Sequence, residues 1–268
     1  MKKKPILIVL CVVLAAVFGF SAFKIISTLT AYQQAVKSYD EVASQYTTVV
    51  TSTPAPTASP VGSALPDPVE TPTTGNGYDP NVSPINVDFD GLLSMSPDYA
   101  AWIFNPGTVI NYPIAYTDNN EYYLDHIITG GSSNSSGTLF MDCRGKSDFS
   151  DRNTIVYGHN MKNGSMFASL HSYGEEGYYE QHPFMFINTP NKSYRLDLIA
   201  GYVTEPTSIA YIRNYDNFMS YIDNIKSISD FKSDVEVSED DHIVTLSTCT
   251  YEVEDGRYVV VGKLVELA

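Results

Sequence analysis

Hydrophobic positions change their period several times along this chain, and each change predicts an element. Pro5 to Phe23 is an apolar run of 19 residues, enough to cross a bilayer as a helix. Ser27 to Val50 then carries Ala31, Ala35, Tyr39 and Val42 at helical spacing, which predicts a juxtamembrane helix or one that packs on the domain. Residues 51–84 hold Pro54, Pro56, Pro60, Pro66, Pro68, Pro72, Pro80 and Pro84 among Thr, Ser, Ala and Gly. Such a composition neither buries a core nor holds a helix, so a stalk is expected, reaching about 100 Å at most. From Ile85 the rhythm becomes that of strands, at 99–104, 110–115, 138–141, 154–157, 184–188, 193–203, 243–246 and 258–261. Tyr194, Leu196 and Leu198 mark one buried face. Helical turns are expected at 88–95, 165–172 and 177–181. A longer helix is predicted within 214–230, where Phe218, Tyr221, Ile222 and Ile225 share a stripe. Asn105-Pro106-Gly107-Thr108 reads as a turn between strands.

Charge narrows the function classes. The chain has 31 acidic and 16 basic residues, net −15, which repels nucleic acid. Lys2, Lys3 and Lys4 precede the apolar run, so the amino terminus is expected in the cytoplasm and the rest outside. The run is long for a cleaved signal peptide, and no clean cleavage site follows it. No Gly-rich phosphate loop occurs, so no nucleotide cofactor is expected. His126, His171, His182 and His242 lack ligand-like spacing and read as structural or surface residues, and no metal is expected. Residues 236–241 lack a calcium-loop pattern and read as a solvated charge run. Asp142 and Asp151 read as solvated loop carboxylates.

Of three cysteines, Cys11 lies in the apolar run and Cys143 reads as structural or incidental. Cys249 differs. It follows the strand 243–246 among Ser247, Thr248 and Thr250, and Arg257 opens the next strand. A thiol ending one strand and a guanidinium starting the next are placed to meet across the loop between them. A third group, His159, follows the strand 154–157 directly. Free thiols are mostly protonated at neutral pH, and a neighbouring cation favours the nucleophilic anion.

These segments together resemble the sortases, specifically class B. The resemblance is carried by Tyr157-Gly158-His159-Asn160-Met161, by Thr245-Leu246-Ser247-Thr248-Cys249 and by Arg257, eight positions after the cysteine. Tyr123-Leu124-Asp125-His126 and Gly137-Thr138-Leu139-Phe140-Met141-Asp142 extend it. It implies a mostly β domain, a closed eight-stranded barrel with helical insertions, one of them just before the nucleophile strand. It implies a cysteine transpeptidase without cofactor. Cys249 would form a thioester with a sorting motif of the Asn-Pro-x-Thr type. His159 would move protons and Arg257 would stabilise the oxyanion. Ser247, Thr248 and Asn160 are the expected substrate contacts. The partners would be secreted proteins bearing the motif and an amine of a cell-wall peptide or lipid-linked precursor. Pilin polymerisation and hydrolysis by a surface cysteine protease are the alternatives. The third, an adhesin without catalysis, is disfavoured because the chain ends in a strand-like run and not in a sorting signal. The expected organisation is a cytoplasmic tail (1–4), a transmembrane anchor (5–23), a juxtamembrane helix (24–50), a linker (51–84) and a catalytic domain (85–268).

Overall fold

The apolar run and the amphipathic stretch after it share one helical backbone. The structure, a computed structural model, describes residues 3–50, 78–250 and 255–268. Helix α1, Lys3–Tyr46, runs without a break through residue 23, because no Gly-Pro punctuation separates the two stretches. It is long and apolar enough to cross a membrane, with a window of mean hydropathy 2.2 that buries nothing. Its far end behaves differently. Ala35, Tyr39, Val42 and Ala43 are buried in the main core, so the predicted stripe packs on the domain.

Strand β1, Thr47–Val49, then pairs antiparallel with β2, Ile85–Val87. Val50 N–H also reaches the Pro84 carbonyl at 2.8 Å. Both flanks of the Pro-rich segment therefore meet in one ladder. The expected stalk does not set the distance between apolar helix and barrel; α1 does. Most of that segment, 51–77, lies outside the described residues. Its last residues lie against the barrel: Tyr78 meets the Phe104 ring edge-on and Arg195 donates to the Pro80 carbonyl. Helix α2, Phe89–Met95, follows, with Asp88 accepting the Gly91 N–H as its cap.

Eight strands then close a barrel. They are β3 (Tyr99–Phe104), β4 (Asn111–Ala115), β5 (Leu139–Met141), β6 (Asn153–Tyr157), β7 (Phe184–Asn188), β8 (Ser193–Thr204), β9 (Ile243–Cys249) and β10 (Arg257–Glu266). The order around the wall is β10-β8-β7-β3-β4-β5-β6-β9. Pairs β4–β5 and β6–β9 are parallel and the others antiparallel. Helix α3 is Tyr178–Gln181 and helix α4 is Phe218–Ile228. The helical turn expected at 165–172 is a 3-10 turn over Ala168–Gly174. The turn expected at Asn105–Thr108 forms, with Gly107 at φ 77°, a conformation that favours glycine.

Successive residues of β9 and β10 face opposite sides of the wall. Val244, Leu246, Tyr258 and Val260 join the main core. Ile243, Val259 and Val261 instead join a second cluster with Phe218, Tyr221, Ile222 and Ile225 of α4. The wall is thus covered on both faces. That explains why 258–261 reads as an unbroken apolar run and not as an alternation.

Ile222 is 2% exposed under α4. Ile222→Asp should cost at least about 2–3 kcal/mol from lost burial, with carboxylate desolvation on top. Urea unfolding measures it, and an unchanged midpoint would show that the stripe is not the buttress of the outer wall.

Candidate active site

Strand register brings the candidate residues together. Cys249 of β9 and Arg257 of β10 are direct partners across the antiparallel ladder, a placement that puts their Cβ atoms about 4.5–5.5 Å apart on one face. On the other side of β9, Tyr157 of β6 is the partner of Ser247. The ladder runs one bond further, Gly158 N–H to the Ser247 carbonyl at 3.0 Å, and delivers His159 to the same end of the sheet. Gly158 has no room for a side chain: a Cβ there would collide with Leu139 and Phe167. Cys249, His159 and Arg257 line one cleft of about 590 Å³. Leu124, Phe140 and Arg144 stand on one part of its wall, and the segment Pro206–Ile212 on another.

The imidazole is held by backbone. His159 Nε2 lies 2.6 Å from the Leu124 carbonyl. A carbonyl only accepts, so Nε2 carries the proton and, in the neutral ring, Nδ1 holds the lone pair. The His159 carbonyl in turn accepts the Phe167 N–H at 3.0 Å.

The end of β9 is also clamped. His171 Nε2 and Asn160 Nδ2 each lie 3.0 Å from the Cys249 carbonyl, and the His171 ring packs on Tyr258 with centroids 4.9 Å apart. Of the two roles expected for His171, structural or surface, it takes the structural one, at the Cys249 carbonyl. Asn160 spends its amide inside the protein at this clamp. Ser247 shares the face of Cys249 and meets the Tyr211 hydroxyl at 2.8 Å. Thr248 alternates to the barrel side, 2% exposed, yet still contributes to the lining of the cleft; its Oγ1 has no partner among the described residues. Arg257 Nη1 donates to the carbonyls of Asp255 and Gly256 at 2.8 and 3.0 Å, which leaves its other donors for the cleft. Residues 251–254 lie outside the described residues.

Asp142 departs from the expected solvated carboxylate. It is 2% exposed and accepts from Arg144, Asn120 and the Tyr157 hydroxyl. Asp151, also read as solvated, is buried and takes the Lys146 N–H. Burial alone would raise the Asp142 carboxyl, but the side-chain and backbone hydrogen bonds from Arg144 outweigh it. With Asn120 and Tyr157 they hold it well below the usual carboxylate range. The network fixes one wall of the cleft. Tyr211, stacked on Tyr157 with centroids 6.1 Å apart, fixes the other. Burial pushes the Tyr211 hydroxyl up, so it remains protonated. Among the described residues no cluster has the makings of a metal site.

Comparison with known proteins agrees with this geometry. A sortase domain model matches residues 106–265. Sortase B of Listeria monocytogenes is 38% identical over 180 residues, 65% of this chain and 72% of that protein. Sortase B of Staphylococcus aureus is 32% identical over 190 residues, 69% of this chain and 77% of that one. The solved complex of Staphylococcus aureus sortase B with substrate superimposes with a TM-score of 0.63 at 30% identity, over 67% of this chain and 85% of the other. The chain belongs to the sortase family and is a cysteine transpeptidase of the sortase B type.

The depressed Asp142 carboxyl makes a signed prediction. Its ionised form is favoured by folding, so its contribution is complete above the unfolded value of about 3.9 and fades as pH falls toward the lower folded value. Asp142→Asn should cost about 1–2 kcal/mol at pH 7, discounted because the Arg144 side chain is 59% exposed. Urea unfolding at pH 7, 5 and 3 should show the gap to wild type constant down to about pH 5 and narrower at pH 3. An equal gap at all three would mean that charge plays no part.

Proposed function

We propose that this sortase cuts a sorting motif of the Asn-Pro-x-Thr type in secreted proteins. It then passes the acyl group, through a thioester on Cys249, to an amine of a cell-wall precursor. The observation that carries the reading is the register pairing of Cys249 with Arg257, with His159 in the same cleft. The class B relationship supplies the motif and the kind of acceptor.

The Cys249 thiolate attacks the scissile carbonyl, and negative charge builds on its oxygen. The guanidinium of Arg257, planar and rich in donors, faces that oxygen. As the C–N bond breaks, protonated Nδ1 of His159 gives its proton to the leaving amine. The incoming amine attacks the thioester, His159 takes a proton back, and the thiolate departs. The Leu124 carbonyl keeps the ring oriented in both steps, because Nε2–H donates to it whether the ring is neutral or charged. Of the expected substrate contacts, Ser247 lies on the face of Cys249. We assign contact with the motif to the Ser247–Tyr211 pair, and clamping of the Cys249 carbonyl to Asn160. The apolar part of α1 serves as the membrane anchor, with Lys2–Lys4 on the cytoplasmic side and the barrel outside.

Intact-mass spectrometry of the full chain in detergent, given motif peptides and an amine, tests the chemistry. Cys249→Ala should form no acyl adduct, and His159→Ala should acylate very slowly. Arg257→Lys keeps the charge and loses the planar fork, so kcat should fall about 10²–10³-fold. Recovery of that rate at high pH would reject the oxyanion role and leave Arg257 a tuner of the thiol. Release to water alone, even with saturating amine, would establish hydrolysis instead.

Topology is tested separately. Protease added to intact cells should remove the barrel. A barrel protected until lysis would reverse the orientation.

A further inference from the structure

The helix that carries the apolar run also reaches the site. Tyr39 of α1 is 2% exposed, and its hydroxyl donates to the Gly137 carbonyl at 2.5 Å and lies 2.9 Å from Thr138 Oγ1. Thr138 is a junction. Its hydroxyl donates to the His126 carbonyl and accepts the Ile128 N–H, each at 2.9 Å. Its N–H donates to the Tyr123 carbonyl at 2.9 Å. Gly137, at φ +57°, presses against the carbonyls of Tyr123 and Leu124 so closely that a Cβ would overlap both. The Leu124 carbonyl is the one that holds His159.

A second route leaves the same residue. The Tyr39 ring meets Tyr112 edge-on, with centroids 5.5 Å apart. The Tyr112 hydroxyl accepts the Met166 N–H at 3.2 Å. Met166 bridges Asn160, and its neighbour Phe167 donates to the His159 carbonyl. One route thus ends on the ring of His159 and the other on its backbone. Two further contacts seat the helix on the same loop. Asn134 donates to the Ala31 carbonyl at 2.9 Å, and Ser38 meets Thr129 through their hydroxyls.

We propose that Tyr39 is a positioning residue for His159: through Gly137 and Thr138 it fixes the Leu124 carbonyl, and so sets which imidazole nitrogen faces the reaction. The proposal rests on the reading of His159 as the proton carrier. It makes α1 part of the catalytic scaffold as well as an anchor. Loosening the hydroxyl route frees the Leu124 carbonyl to drift, so the ring samples both tautomers and the fraction with Nδ1 basic falls.

The test is Tyr39→Phe in the full chain in detergent micelles, which removes the hydroxyl route and keeps the ring route. With ¹⁵N-histidine label, the Nε2–H signal of His159, assigned by its loss in His159→Gln, should broaden or vanish. Its ring should move toward a mixture of tautomers. The kcat should fall about 2–10-fold, as for loss of one hydrogen bond, with its pH profile displaced and KM for the peptide unchanged. An unaltered His159 signal and pH profile would overturn the proposal, whatever happens to the melting temperature. If Tyr39→Phe does not fold, Thr138→Ala against Thr138→Ser serves. Only the alanine variant should lose the signal, and equal signals would overturn the proposal. His159→Ala that still acylates at the wild-type rate would instead reject the role of His159 and leave the NMR outcome to judge the contact alone.

Discussion

The register of β9 is the constraint on which the site depends. This strand lies between β6, parallel to it, and β10, antiparallel to it. One register sets Ser247 opposite Tyr157, and the other sets Cys249 opposite Arg257. A slip of one residue would turn the thiol toward the barrel interior and Thr248 toward the cleft. Apolar side chains alone do not resist such a slip well, because both faces of the wall are buried. A polar knot does. Asn153 of β6 accepts from the Thr245 hydroxyl at 2.9 Å and donates to the carbonyls of Ala210 and Ile212 and to Tyr215. Asn153 and Thr245 are both fully buried, so a shifted register would leave these groups unpaired, at a cost of about 1–3 kcal/mol each. The same knot ties down Ile209–Tyr211, which precedes α4 and carries Tyr211 to the cleft.

Much of the barrel was legible because its strands are short, β-branched and punctuated by Gly and Pro. The helix before β9 was legible from the stripe Phe218, Tyr221, Ile222 and Ile225. What was not legible depends on groups without a side-chain signature. The contact that orients His159 is the backbone carbonyl of Leu124, which any residue would supply. The β1–β2 ladder joins two three-residue strands across 35 intervening residues, too little local pattern to read. The burial of Asp142 was not legible because a carboxylate in a loop reads as solvated by default. Only the fold shows Tyr157 and Asn120 closing over it. His171 has no spacing relation to Cys249 in sequence, and only the 3-10 turn over Ala168–Gly174 carries it to the Cys249 carbonyl.

A closed barrel has no free edge, so a peptide substrate cannot add to this sheet as a further strand. The chemistry therefore sits on the outer wall, and the cleft has to be built by what projects beside it. Pro206–Ile212 contributes one rim and residues around Leu124 and Arg144 contribute another. Both rims are braced by Tyr157, which stacks on Tyr211 and donates to Asp142. Cys249 and Arg257 are set by the ladder itself, whereas His159 follows the end of β6 and its ring is held by the Leu124 carbonyl on the rim.

The unbroken α1 adds a geometric consequence. A Pro-rich stalk between membrane and barrel would let the cleft range over tens of ångströms. Here both ends of that segment are pinned at β1 and β2, and the helix enters the core at Ala35. On the proposed anchoring, the twelve residue steps from Phe23 to Ala35 rise about 18 Å as helix. The connection from the apolar stretch to the barrel is then continuous helix and not Pro-rich coil. A rigid connection limits reach but removes the entropy a flexible tether would lose on each encounter.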